Sequence, residues 1–319
     1  MAKKLWIACG FVTALSYVVA GQHSWAAEPA PLKLHARSRT LVKNATGTRD
    51  AVAKEESGKE GIEAAKPTVS EKLVEWDPAK TALIICDMWD NHWCRGAAER
   101  VVELAPTVNK LAQELRQRGV LVIHAPSTCV DFYKDTPQRK RAQAAPVAKA
   151  SVPLSQATRW GTKWCWPDPR RESELPIDDS DMGCDCTQQC EISGPWTREI
   201  SLIDIAEPDA ISDDGQEVYN LLAERDIDNI LIAGVHLNMC VLGRSFAIRQ
   251  MVALGKNVIL VRDLTDTMYN SRMRPFVNHF RGTDLVVEHI ERYWCPTITS
   301  ADVLGGDAFR FKADTMNGK

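Results

Sequence analysis

The stretch whose reading decides the fold is NILIAGVHLNMCVLGRSFAIRQMVALG, Asn229 to Gly255. An apolar run from Asn229 to Ala233 ends in Gly234 and reads as a buried strand. A short turn follows. Val241, Leu242, Phe246, Ala247 and Met251 then fall near helical spacing until Gly255 stops the segment. Cys240 stands where that helix begins. A thiol there faces unpaired backbone N–H groups and the positive end of the helix dipole, and both favour thiolate. A single cysteine elsewhere reads more simply as a small buried apolar residue. Strand, sharp turn, nucleophile and helix together have the geometry of an active site.

The same alternation recurs on either side. Thr81 to Asp87 reads as a strand. Ala97 to Arg118 reads as a helix with Val101, Leu104, Val108, Leu111 and Leu115 on one stripe, ended by Gly119. Val120 to His124 is the next strand and Gly215 to Arg225 the next helix. After the opening stretch come a strand from Asn257 to Arg262, a helix near Pro275 and a strand from Asp284 to Glu288. Apolar strands separated by helices predict an α/β fold, a three-layer, doubly wound, mostly parallel sheet of Rossmann-like type. Ligands of such sheets bind beyond the carboxyl ends of the strands. Asp87 and Cys240 both occupy such ends, so they converge on one crevice.

Two motifs carry a family resemblance. GVHLNMCV, followed by an Ala-containing helix, resembles the nucleophile motif of the isochorismatase-like cysteine hydrolases, the superfamily that includes nicotinamidases. TALIICDMWDNHW, with Asp87 ending an apolar strand, resembles that family's first-strand aspartate. The resemblance spans roughly Trp76 to Leu304. It implies that Asp87 takes the proton of the Cys240 thiol and returns it to the leaving group. Thiolate attack would give a thioester that water cleaves, with no cofactor. It also implies a non-proline cis bond at Val235-His236 that aims the N–H groups of His236 and Cys240 at the developing oxyanion. Trp89, His92, Asn238 and Arg272 are candidate pocket residues near the strand ends.

One part of the family pattern is missing. Aligning back from Gly234 through Leu221-Leu222 puts Glu207, in IAEPDAISDDGQEVYNLL, where the family has its lysine. Glutamate cannot supply the positive charge that lowers a thiol pKa. Three alternatives follow: Asp87 and Glu207 share a proton as a catalytic pair, Lys163 or Lys134 swings in, or the site no longer turns over. The nicotinamidase metal ligands are also missing, because HAPSTCVDFYKD offers only His124 and Asp131. No metal is therefore carried over. The leading expectation is a hydrolase of a small amide or related C–N bond. The alternative is a non-catalytic binding or structural protein, and ether hydrolysis ranks below both.

The ends and the cysteines set further expectations. Lys3 and Lys4 before the apolar run Leu5 to Ala20, with Ser24-Trp25-Ala26 beyond it, read as a signal peptide over residues 1–26. This predicts export to the periplasm or the medium. Residues 27–72 hold no aromatic residue, show no apolar periodicity and carry a basic patch (Lys33, His35, Arg37, Arg39, Lys43), so they read as a disordered spacer. The hydrolase domain is expected over 73–305, with a Cys- and Trp-rich insertion over about 125–199 and a tail over 306–319. A net charge of −3 does not suggest nucleic acid. A small-molecule substrate, no membrane contact after signal cleavage and a homo-oligomer are expected. Cys86, Cys94, Cys129, Cys165, Cys184, Cys186, Cys190 and Cys295 remain beside Cys240, and in an oxidising compartment they suggest up to four disulfides. The rival reading makes GCDCTQQC, Gly183 to Cys190, a zinc site.

Overall fold

The computed structural model describes residues 29–40 and 67–315. The expected signal peptide and residues 41–66 of the expected spacer lie outside them. The strands are β1 (Leu32–Thr40), β2 (Thr68–Trp76), β3 (Thr81–Cys86), β4 (Leu121–Ala125), β5 (Thr158–Arg159), β6 (Thr162–Lys163), β7 (Ala210–Ile211), β8 (Asn229–Val235), β9 (Asn257–Asp266) and β10 (Thr297–Ile298). The helices are α1 (Arg95–Gln117), α2 (Pro137–Ala144), α3 (Gly215–Glu224), α4 (Cys240–Gly243), α5 (Ile248–Ala253), α6 (His279–Tyr293) and α7 (Ala301–Leu304). Eight strands form one sheet in the order β2-β1-β10-β9-β8-β3-β4-β7, and β5 and β6 form a separate hairpin. From β10 to β7 every pairing is parallel; β1 and β2 join antiparallel at one edge. This is the three-layer α/β architecture that the alternation predicts.

Strand β3 sits between β4 and β8, and all six of its residues are buried. A strand sends alternate side chains to opposite faces. Leu83 and Ile85 accordingly pack with the α1 stripe of Val101, Leu104, Val108, Leu111 and Leu115. Ala82 and Ile84 pack in the other layer with Leu221, Phe246, Met251, Val286 and Ile290. Each such side chain contributes about 1.5–3 kcal/mol when fully buried. At Gly234, φ is +109° and a Cβ would lie 2.1 Å from the Cys86 carbonyl oxygen, so the close approach of β8 to β3 requires glycine.

Several expectations need correction. Residues 32–40 and 68–72 of the expected spacer are strand. Leu32, Leu34 and Ala36 are buried and alternate with Lys33, His35 and Arg37. This period-two pattern lay inside the basic patch, whose Arg37 and Arg39 both meet the buried carboxylate of Glu291, at 2.7 and 2.8 Å. Asp284 to Glu288 is not a strand but part of α6, where Thr283, Val286, Val287 and Ile290 follow helical spacing inward. The closing strand is β10 instead. The helix after Cys240 is broken into α4 and α5, with Arg244 to Ala247 between them. Trp164 of the insertion presses on the break: a Cβ on Gly243 would lie 2.4 Å from its ring. The expected disulfides are not formed, and the nine cysteines of the described residues are free. Cys86, Cys129 and Cys295 are buried singly among core side chains, while four others gather in one place.

Candidate active site

Asp87 follows β3 and Cys240 follows β8, so the pairing of these two strands brings both to one end of the sheet. Asp87 has a left-handed backbone, φ +49°, which turns the chain sharply off the strand. Its carboxylate is fully buried. Oδ1 accepts the Ser127 N–H at 2.7 Å, and the Cys240 thiol lies beside the same carboxylate. The Val235-His236 peptide bond is cis, as the resemblance implied. Beyond it, the loop is tied by Leu237 N–H to the Asp266 carbonyl at 2.7 Å and Met239 N–H to the His236 carbonyl at 3.0 Å. Among the described residues, the N–H groups of His236 and Cys240 have no acceptor within the protein.

The positive charge comes from a residue the sequence reading did not single out. Arg244, four positions after Cys240, is 2 % exposed, and its Nε lies 3.5 Å from Asp87 Oδ2. It also faces the Cys240 sulfur closely enough for the two to interact electrostatically. Its Nη1 donates to the carbonyls of Arg159 at 3.2 Å and Trp160 at 3.5 Å and to Thr162 Oγ1, so the β5–β6 hairpin holds it in place. Burial alone would lower the guanidinium pKa, but Cys240 and Asp87 outweigh it and keep the group charged. The available signal was an arginine set in the apolar run VLGRSFAI, where a buried charge needs a partner.

Glu207 does not occupy the crevice. Its side chain is 78 % exposed and pairs with Arg141 at 2.7 Å. The carboxylate that does stand near Asp87 is Asp213, which accepts the Thr128 N–H at 2.8 Å; burial and the charge of Asp87 both raise its pKa. Lys163 is engaged with Asp214 at 2.8 Å, and Lys134 is exposed. Neither replaces the family lysine.

The expected lowering of the Cys240 pKa is also reversed. Burial, then the charge of Asp87, push the thiol above its ordinary range, and the opposing pull of Arg244 is weaker. Helix α4 is only four residues long, so its dipole has little to add. Burial likewise raises the Asp87 pKa, against the lowering effect of Arg244.

Of the four pocket candidates, three lie by the crevice and one does not. Trp89 donates from Nε1 to the Ser127 carbonyl at 3.1 Å and stacks on Trp196 with ring centroids 4.5 Å apart. His92 stacks on Trp196 and meets His236 edge-on at 4.8 Å. Burial depresses its pKa to about 4, so it is neutral near pH 7. Asn238 binds Asp179 and the Met268 backbone, and lines a cavity of about 180 Å³ together with Arg159, Trp164 and Met239. Arg272 points away and donates to the Cys186 carbonyl at 2.9 Å. Neither the cavity beside Asn238 nor a larger one of about 610 Å³, between residues 167–180 and Arg274, has Cys240, Asp87 or Arg244 on its wall.

The residues considered for the nicotinamidase metal do not fit one. His124 uses both ring nitrogens, on Glu199 at 2.7 Å and Asp209 at 3.2 Å, and Asp131 is exposed. Burial would lower the pKa of His124, but the two carboxylates prevail and raise it to about 9.

No protein-family model and no curated protein matches the chain. Among solved structures, it is similar to a cysteine hydrolase from Pseudomonas syringae pv. phaseolicola 1448A, at 17% identity and a TM-score of 0.44, over 71% of this chain and 92% of that one. It is similar to an isochorismatase from Pseudomonas putida KT2440, at 13% identity and a TM-score of 0.42, over 71% and 91%. A third is a pyrazinamidase of Pyrococcus horikoshii in complex with zinc, at 15% identity and a TM-score of 0.38, over 69% and 99%.

Proposed function

We propose that the chain is a cysteine hydrolase that cleaves a small amide or related C–N bond through a Cys240 thioester. One observation carries this reading: a thiol, a carboxylate and a guanidinium, all buried, in mutual contact at the carboxyl ends of β3 and β8. A buried charged pair beside a buried thiol costs folding energy and reads more naturally as chemistry than as packing.

In this scheme the thiol rests neutral and gives up its proton as it attacks. Asp87 accepts that proton while sulfur bonds to the carbonyl carbon, and the amides of His236 and Cys240 receive the oxyanion. Arg244 offsets the negative charge that passes from carboxylate to sulfur to oxygen. The amine leaves with the proton from Asp87. Water, deprotonated by Asp87, then cleaves the thioester to the acid and regenerates the thiol. Bulk water has little access to the thiol, since Cys240 is only 4 % exposed. Arg244 thus takes the part expected of the family lysine, from a different place in the chain. Export belongs to the same proposal and rests on Lys3, Lys4 and the apolar run after them; a mature N-terminus near Ala27 by mass spectrometry checks it.

The direct test is an acid quench of the protein with a panel of small amides, followed by peptide mass spectrometry. An acyl adduct on Cys240 that is missing in Asp87→Asn is the expected result. No adduct and no product with any amide would favour the non-catalytic binding protein.

A further inference from the structure

We infer that Cys94, Cys184, Cys186 and Cys190 form a tetrathiolate site for one tetrahedral divalent cation, best suited to zinc, that staples the insertion to the head of α1. The four sulfurs lie within 4.8 Å of one another. Cys94 and Cys186 are 3.8 Å apart, which equals the edge of about 3.8 Å of a tetrahedron with Zn–S bonds of about 2.3 Å.

The contacts form a ring rather than two pairs. Cys94 touches Cys186 and Cys184, and Cys190 touches the same two. Two disulfides would select partners, and this arrangement selects none. The ring is too tight to hold the several iron and sulfide atoms of a cluster. A single ion with soft sulfur donors fits it, as zinc or a mononuclear iron would.

The backbone around the sulfurs suits negative charge. Arg95 N–H points to Cys190 Sγ at 3.5 Å and Gly96 N–H to Cys186 Sγ at 3.4 Å. These are the first amides of a helix 23 residues long, which have no acceptor within the helix itself. The Cys184 sulfur lies near the backbone N–H groups of Cys186 and Cys190. Two of the four sulfurs, Cys186 and Cys190, thus take a backbone donor from the first turn of α1, which suits thiolates. Four protein ligands leave no open coordination position, which defines a structural site rather than a catalytic one. Its effect reaches the crevice through Cys94, whose N–H donates to His92 Nδ1 at 3.1 Å. It reaches the loop after β9 through Asp185, which binds Ser271 at 2.7 and 2.8 Å.

The test uses the full chain purified without chelator or reductant, with elemental analysis and alkylation in denaturant. The expected result is about one zinc per chain, with all four cysteines alkylated after denaturation. Iron with the absorption of a tetrathiolate centre would support the same site with the other ion. Cys184→Ser and Cys190→Ser should each lower the metal content at least tenfold. Should these variants fail to fold, titration of the wild-type chain with a mercurial must release the metal in step with loss of four thiols. Exchange with Co²⁺ should give the visible bands of a tetrahedral tetrathiolate. Peptides joined by disulfides among these cysteines, or metal-free folded protein with four alkylatable thiols, would overturn the inference. None of these readouts involves hydrolysis, so failure of the proposed function leaves them intact.

Discussion

Cys240 and Cys94 both stand at the start of a helix, yet the protein treats them differently. Cys94 caps α1, and the next two amides turn to the sulfurs of Cys190 and Cys186. Cys240 opens a helix of four residues, and its sulfur meets the side chains of Asp87 and Arg244. There, burial and the Asp87 charge keep the proton on sulfur until a substrate draws it off. Position at a helix N-terminus therefore does not by itself lower a thiol pKa, because burial raises that of Cys94 as it raises that of Cys240. What differs is the company each sulfur keeps: three other sulfurs at Cys94, a carboxylate and a guanidinium at Cys240.

The largest effects should separate the two regions cleanly. Cys240→Ala should reduce amide turnover to that of a blank while the metal content stays at about one per chain. Cys184→Ser should do the reverse in the first instance, losing the metal and lowering the melting temperature. Turnover lost in both variants with metal retained in both would break the distinction.

Arg244 tests the crevice half of the comparison. Arg244→Met should lower kcat/KM about 10²–10³-fold, as expected for removal of one buried electrostatic partner of the reacting atoms. Arg244→Lys should recover part of that loss, since the charge remains while the fork held by Arg159 and Thr162 is gone. Equal activity in all three proteins would remove Arg244 from the mechanism.

A third prediction sets both thiol sites against a buried ion-paired histidine. The pKa of His124 is raised from 6.5 to about 9, so its stabilisation is fully present below pH 6.5 and is lost as pH rises through 9. Its size is about 3 kcal/mol. Thermal melts of the wild type should decline over that window, and the slope should shrink in His124→Gln. The smallest effect is expected at Glu207. An exposed pair such as Glu207–Arg141 contributes about 0–1 kcal/mol, and Glu207→Gln should leave the pH profile of turnover unchanged. A shifted profile would return Glu207 to the site.

The parts of this molecule that were legible in the sequence are those set by local periodicity. The α1 stripe, the apolar β3 and β8, Asp87 at a strand end and Cys240 after a sharp turn could all be read from spacing. Where two periodicities compete, the reading failed. DLVVE in α6 satisfies a strand pattern over five residues and a helical one only over fifteen. The alternation in LKLHAR was hidden by its charges, because an edge strand can send arginines to a partner such as Glu291. The misplacement of Glu207 has another cause: counting back from Gly234 fixes a position along the chain but not which loop residue faces the crevice.

The sequence by itself determined the layered sheet and the meeting of Asp87 with Cys240, because strand ends follow from local pattern and ligands of parallel sheets gather beyond their carboxyl ends. Only the tertiary structure decided what surrounds them. Arg244 meets Asp87 at a break in its helix, where Trp164, about eighty residues earlier in the chain, packs on Gly243 and pairs with the Arg244 backbone. Cys94 is brought to Cys184, Cys186 and Cys190 across a similar separation. Contacts of this kind depend on side-chain packing between distant segments, and no local spacing encodes them.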